Sequence, residues 1–158
     1  MSLSQALDAA LAVPGAVPGR ARAEEGGVAV EADVRDADRL GATLDGVVVR
    51  DPGGGSVARQ AAAVPERLKA LGEPLTPVEV DSRLGGAVLR TPAGAMDAGR
   101  FWEVAIGADG REARLGRFRV GPDGARRAEP FTVTREALGR AVDGLAGALG
   151  AGRLPEKG

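Results

Sequence analysis

The strongest constraint on this chain lies at residues 100–149, where a two-residue period gives way to a helical one within a single stretch. In Phe101-Trp102-Glu103-Val104-Ala105-Ile106, successive side chains of an extended chain point to opposite sides, so Trp102, Val104 and Ile106 share a core face. Asp109-Gly110 favours positive backbone angles and predicts a two-residue hairpin loop, from which the chain returns along residues 111–120. On the return, Phe118 and Val120 point one way and Arg117 and Arg119 the other. Leu115 breaks that alternation across Gly116, which predicts a bulge. Pro122-Asp123-Gly124 makes the next turn. Thr134 is placed to cap a helix, with Glu136 in its first turn and Val133 and Leu138 spaced as a hydrophobic staple. Leu138, Val142, Leu145 and Leu149 then recur at spacings of 4, 3 and 4, and Ala137, Ala141, Gly144 and Ala148 form a second, small-residue ridge that allows close packing. Gly150 ends the helix. The predicted core of this unit is Trp102, Val104, Ile106, Phe118 and Leu138.

The chain ahead of this unit supplies strands and helices that complete a sheet and cover it. Ser2 and Gln5 fit a capping box, and Leu3, Ala6, Leu7, Ala10 and Leu11 make one apolar stripe, predicting a helix over residues 4–12. A short strand over residues 20–23 can pair through Glu24-Glu25-Gly26-Gly27 with a strand whose Val28, Val30, Ala32 and Val34 alternate with Ala29, Glu31, Asp33 and Arg35. Ala37, Leu40, Gly41 and Leu44 fit a turn and a half of helix capped by Asp36, but Leu40, Ala42 and Leu44 also alternate, so residues 40–50 read as a further strand, and valines on both of its faces at 47–49 call for cover on both sides. Ser56 caps a helix whose Val57, Ala61, Val64, Leu68 and Leu71 form one buried stripe, with a kink expected after Val64 because Pro65 cannot donate a backbone hydrogen bond. Gly72 closes that helix. Val78 and Val80 are expected inward, with Glu79 and Asp81 outward, before Gly85-Gly86 turns the chain into a strand over residues 87–90.

Composition removes much familiar chemistry. Cysteine, histidine and tyrosine are absent, which excludes disulfides, thiolate or imidazole metal sites and Cys- or His-based catalysis. The formal net charge of -1 argues against an extended nucleic-acid surface. Ala21-Arg22-Ala23 looks like a signal-peptidase site, but Asp8 interrupts the apolar run before it, and Pro14 and Pro18 break the segment between. No stretch approaches the ~18 apolar residues of a membrane span. The expectation is a cytoplasmic protein without a membrane segment.

Two groups of residues raise functional questions. Gly53-Gly54-Gly55-Ser56-Val57-Ala58 fits G-x-G-x-x-A between an apparent strand and helix, and Asp81 lies at the end of the next strand. This resembles the dinucleotide-binding fingerprint of Rossmann proteins, which implies Gly53, Gly55, Ser56 and Asp81 as ligand-binding residues. The other explanation is a loop followed by an N-cap. The second group is Arg111, Arg114, Arg117, Arg119, Arg126 and Arg127, which could meet phosphates or an acidic partner. Glu79, Asp81 and Glu103 on neighbouring strands would explain these arginines as cross-strand ion pairs instead. Phe101, opposite Trp102, would be exposed unless a helix or another molecule covers it, so Phe101, Arg117 and Arg119 are the candidate partner-binding residues. Val47 and Val49 pose the same question.

The expected architecture is one α+β domain over residues 1–150 followed by a flexible tail at 151–158. It has an antiparallel sheet of about six or seven strands and helices near the N-terminus, middle and C-terminus. The order helix, strands, helix, strands, helix resembles that of bacterial secretion chaperones. That resemblance implies a protein that holds a partner polypeptide or self-associates as a homodimer. The expectation is therefore a non-catalytic protein-interaction domain with no catalytic residues, metal or cofactor. The alternatives are a nucleotide-binding protein using the loop at residues 53–58 and a nucleic-acid-binding protein using the arginine strands at 111–127, the latter disfavoured by charge.

Overall fold

The computed structural model describes residues 1–80 and 85–153. Among these, three helices cover one face of a nine-stranded antiparallel sheet, in an α+β arrangement. The order is α1 (Leu3–Leu11), β1 (Gly19–Glu25), β2 (Val28–Ala37), β3 (Gly41–Arg50), α2 (Val57–Arg67), β4 (Thr76–Val80), β5 (Ala87–Arg90), β6 (Arg100–Ile106), β7 (Glu112–Val120), β8 (Arg126–Glu129), β9 (Phe131–Thr134) and α3 (Arg135–Ala151). The main strand order is β1-β2-β3-β7-β6-β5-β4. Those are the seven strands legible from alternation, and β8 and β9 are the additions. They fill a wedge: β3 pairs with β7 from Val47 to Arg50 but with β9 from Gly41 to Leu44, while β7 leaves β3 after Leu115 and takes β8 from Arg117 onward.

Caps and apolar stripes act as the residue pattern requires. The Ser2–Gln5 capping box starts α1, Ser56 Oγ accepts from Arg59 N, and Thr134 Oγ1 accepts from Ala137 N. Leu138, Val142, Leu145 and Leu149 are all buried, each burial being worth about 1.5–3 kcal/mol. On the small ridge, a Cβ added at Gly144 would lie 2.9 Å from Leu68 Cδ2 and closer still to Arg67 O, so α2 and α3 touch through backbone at this point. The helix runs one residue beyond Gly150, to Ala151, with Gly152 as its cap. Of the residues expected as a tail, 154–158 lie outside the described residues; Ala151 and Gly152 are buried, and Arg153 is ion-paired to Asp51.

Several local expectations change. Asp109-Gly110 sits at the centre of a four-residue loop, residues 108–111, bounded by Gly107 N donating to Glu112 O. Only Gly110 there has a positive φ, and it packs against Gly55 and Gln60. No bulge occurs at Gly116, because β6 and β7 pair in unbroken register with Val104 opposite Leu115 and Trp102 opposite Arg117. Arg117 therefore shares the helix-covered face with Trp102, and Phe118 joins Phe101 on the other face. The bulges lie in β2, around Val34, and in β4, at Pro77/Glu79. Val78 and Val80 are exposed, since β4 is an edge strand with every residue exposed. Helix α2 continues past Pro65, and the break falls at Leu68, followed by a short 3-10 turn (Lys69–Leu71) and the left-handed Gly72. Val47 and Val49 both point into the core, leaving Val48 alone on the outer face.

Candidate functional site

The loop at residues 53–56 lies where three chain segments meet. Asp51, 5% exposed, ends β3 by donating its N–H to Arg111 O; its carboxylate accepts from Gly53 N at 3.0 Å and from Arg153 Nη1 at 2.6 Å. The Ser56 N–H at the start of α2 donates to Gly152 O at 3.0 Å, so the helix end of α3 occupies the position an anion would take. A Cβ at Gly55 would stand 2.6 Å from Gly152 C, one at Gly54 2.9 Å from Asp109 O, and one at Gly110 2.5 Å from Gly55 O. Gln60, fully buried, closes the junction by donating from Nε2 to Gly110 O at 2.7 Å and Leu149 O at 3.0 Å. The glycines of the fingerprint-like run thus let backbone meet backbone. Gly53, Gly55 and Ser56 are brought together; Asp81 lies outside the described residues.

Phe101 is 3% exposed, covered by side chains of its own sheet and not by a helix. Its cross-strand partner Phe118 stacks on it at 5.8 Å, and the guanidinium groups of Arg90 and Arg126 lie over the two rings at 5.9 and 4.2 Å. Both arginines bind the buried Glu103: Arg90 Nε donates to Oε1 at 2.7 Å and Arg126 Nη2 to Oε2 at 3.0 Å. Burial alone pushes the Glu103 carboxyl up, but the hydrogen bonds and charges of Arg126 and Arg90 outweigh it and hold the group below the ordinary carboxylate range. Arg117 lies over Trp102 at 4.7 Å and donates to Glu73 Oε2 at 2.7 Å, which pins the chain ahead of β4 to the sheet. Arg119 is paired with Glu129, which also holds Arg100. Of the three candidate partner residues, Phe101 and Arg117 are interior and only Arg119 remains substantially exposed.

The rest of the outer face is a lattice of alternating charge. Glu31 on β2 receives Arg20 and Arg22 from β1 and Arg50 from β3; Arg50 also meets Glu112 on β7, which holds Arg114. Arg127 pairs with Asp123 across the β7–β8 turn. Five of the six arginines between 111 and 127 thus have an acidic neighbour. A depression beside the β2–β3 turn is equally self-satisfied: Asp38 Oδ1 accepts from Leu40 N and Gly41 N, holding the carboxyl below its usual range, and the hydroxyls of Thr43 and Thr132 meet at 2.7 Å. Among the described residues no group of three or more acidic side chains is placed to hold a metal ion. No described helix is long and apolar enough to cross a membrane.

The main strand order ends in two open edges, and the two differ; β8 and β9, four residues each, also pair on one side only. Edge strand β4 is five residues long, contains Pro77 and is bulged, features that blunt further pairing. Edge strand β1 is seven residues long, has no internal proline and pairs with β2 in unbroken register. Gly26 and Gly27, at φ 60° and 82°, form a two-residue turn of the I′ type, so its flanking pair Glu25–Val28 exchanges both hydrogen bonds. Counting back by two, Ala23 and Ala21 also face β2 with their backbone groups, and the N–H and C=O groups of Arg20, Arg22 and Glu24 point away from the sheet. All three residues are exposed or half-buried at this edge. The Gly26-Gly27 pair was the available signal for this phase; that β1 stands at the end of the sheet was not visible from it.

No known family, characterised protein or solved structure matches this chain.

Proposed function

We propose that this protein is a non-catalytic protein-interaction domain that accepts a polypeptide strand at the open edge of β1. The observation that carries this is the contrast between the two edges: a regular β1 whose backbone groups at Arg20, Arg22 and Glu24 face outward, and a β4 broken by Pro77 and a bulge. Strand addition draws its affinity from such main-chain groups and its selectivity from alternate side chains. The neighbouring chemistry favours this over the alternatives. With Ser56 N–H engaged by Gly152 O and five of the six arginines engaged by carboxylates, neither the loop at 53–58 nor the strands at 111–127 offers phosphate a clustered set of unfilled donors. An enzyme would need a cluster of reactive groups, and the acids of the outer face are instead spread singly among arginines.

The test uses amide hydrogen exchange read by NMR, with a synthetic peptide copying residues 28–34 as the probe. Inside the fold, Glu31 and Asp33 of that segment already pair with Arg20 and Arg22. Added peptide is expected to slow exchange at Arg20, Arg22 and Glu24 while leaving β4 unchanged. Arg22→Pro, which removes an outward backbone donor and the 3.5 Å contact to Glu31 but none of the β1–β2 backbone hydrogen bonds, should abolish the protection in a folded protein. Unchanged exchange at all three amides at saturating peptide refutes strand addition at β1.

A further inference from the structure

Resting on the β1-edge reading, we infer that the strand β1 accepts is β1 of a second copy, antiparallel about a two-fold axis at Ala23. Such an axis, perpendicular to the sheet, keeps the helix-covered faces of both copies on the same side and joins the two sheets into one. It restricts the register, because residues on the outer face must meet residues on the outer face. The outward backbone groups belong to Arg20, Arg22 and Glu24, so hydrogen-bonded pairs across the axis must be drawn from these three.

Three registers oppose two or more of these residues, and charge separates them: with the axis at Ala21, Arg20 directly opposes Arg22 of the other copy twice. With the axis at Arg22, Arg20 meets Glu24 of the other copy, but Arg22 directly opposes Arg22. With the axis at Ala23, Arg22 meets Glu24 twice by symmetry and no like charges oppose each other. Directly opposed like charges destabilise a strand pair, whereas opposite charges support it, so the register at Ala23 is favoured over those at Ala21 and Arg22. The local environment agrees. Arg22 has a 70% exposed side chain and touches Glu31 only at 3.5 Å, which leaves it free to turn toward a new carboxylate. Glu24 is exposed and faces Ala29, a residue without charge, across the β1–β2 pair. On the covered face, Ala23 meets Ala23 at the axis, and the small side chains allow the close approach of a non-hydrogen-bonded pair.

The experiment is sedimentation equilibrium of the full chain from about 1 μM to about 1 mM, a range set by the modest number of contacts in a single strand pair. The wild type is expected to associate to a dimer in this range. Glu24→Arg should weaken association by about tenfold or more, since it converts two attractive oppositions into repulsive ones. The double variant Arg22→Glu/Glu24→Arg should recover it. Loss in Glu24→Arg followed by recovery in the double variant marks the Ala23 register: with the axis at Arg22 the double change leaves only like charges opposed, and with the axis at Ala21 residue 24 faces Pro18, so Glu24→Arg alone would leave association unchanged. Glu24 makes no ion pair among the described residues, so Glu24→Arg breaks none there, and its fold is checked by the fluorescence of Trp102. A wild type that stays monomeric throughout, a Glu24→Arg variant that dimerises as well as wild type, or a double variant that fails to recover each overturns the proposal. If the wild type is monomeric while the 28–34 peptide still protects Arg20, Arg22 and Glu24, self-pairing falls and strand addition stands; if neither occurs, both fall.

Discussion

Replacing Gly55 by alanine separates a glycine kept for packing from a glycine kept for a ligand. Gly55 has φ +154°, and an added Cβ would lie 2.6, 2.8 and 2.9 Å from Gly152 C, O and Cα. All three are backbone atoms at the end of α3, so no side chain can rotate away. The unfavourable φ costs a residue with a Cβ roughly 1–3 kcal/mol, and overpacking costs about 1–3 kcal/mol. Moving Gly152 also strains the Ser56 N–H···O bond that joins α2 to α3. A loss of about 3 kcal/mol is expected, a large share of the roughly 5–15 kcal/mol by which a domain of this kind is stable. Urea denaturation followed through the single tryptophan, Trp102, measures it. Gly53→Ala is the internal control: its Cβ would meet only the side chains of Arg153 and Asp51, which can shift, and the change should stay within about 0.5 kcal/mol. If Gly55→Ala is as stable as wild type yet abolishes a thermal shift produced by a nucleotide, the packing account is wrong and the loop is a phosphate cradle.

On α3, Gly144→Ala should destabilise by about 1–3 kcal/mol, because its Cβ would press on Arg67 O and Leu68. Gly139→Ala, whose Cβ would make only an ordinary 3.4 Å contact with Ser4 Cβ, should stabilise by about 0.5–1 kcal/mol through helix propensity; equal effects in the two would refute the close α2–α3 contact. Glu103→Gln should cost about 1 kcal/mol at neutral pH, a modest figure because Arg90 and Arg126 are 35% and 44% exposed and partly screened. Glu103 titrates below the ordinary glutamate value of 4.5 in the folded chain, so its contribution is present above that pH and is lost as pH falls through the folded value. Wild-type denaturation midpoints should therefore drop more steeply below pH 4.5 than those of Glu103→Gln, and parallel profiles would refute the assignment. Oligonucleotide retention at about 150 mM salt should be undetectable, as expected where guanidinium groups already hold carboxylates.

Local patterns determined much of this protein before any contact was known. The period-2 runs of β2 and β6, the 4-3-4 stripe of α3 and the Ser2, Ser56 and Thr134 caps depend on residues within a few positions of one another, and each element forms where those residues place it. Tertiary structure decided what surrounds them. The period-2 rule tells which residues share a face of β7, but only the unbroken register with β6 puts Arg117 rather than Phe118 beside Trp102. Alternation with Glu79 and Asp81 places Val78 and Val80 inward, but β4 proves to be an edge strand on which every residue is exposed. The run from Gly53 to Ala58 looks alike whether its glycines approach a phosphate or another stretch of backbone. What distinguishes the cases is Gly152, nearly a hundred residues away in the chain and hydrogen-bonded to Ser56. The same holds for the candidate site: Gly26-Gly27 sets which backbone groups of β1 face away from β2, a local property, while the absence of a further described strand beside β1 is a property of the whole sheet.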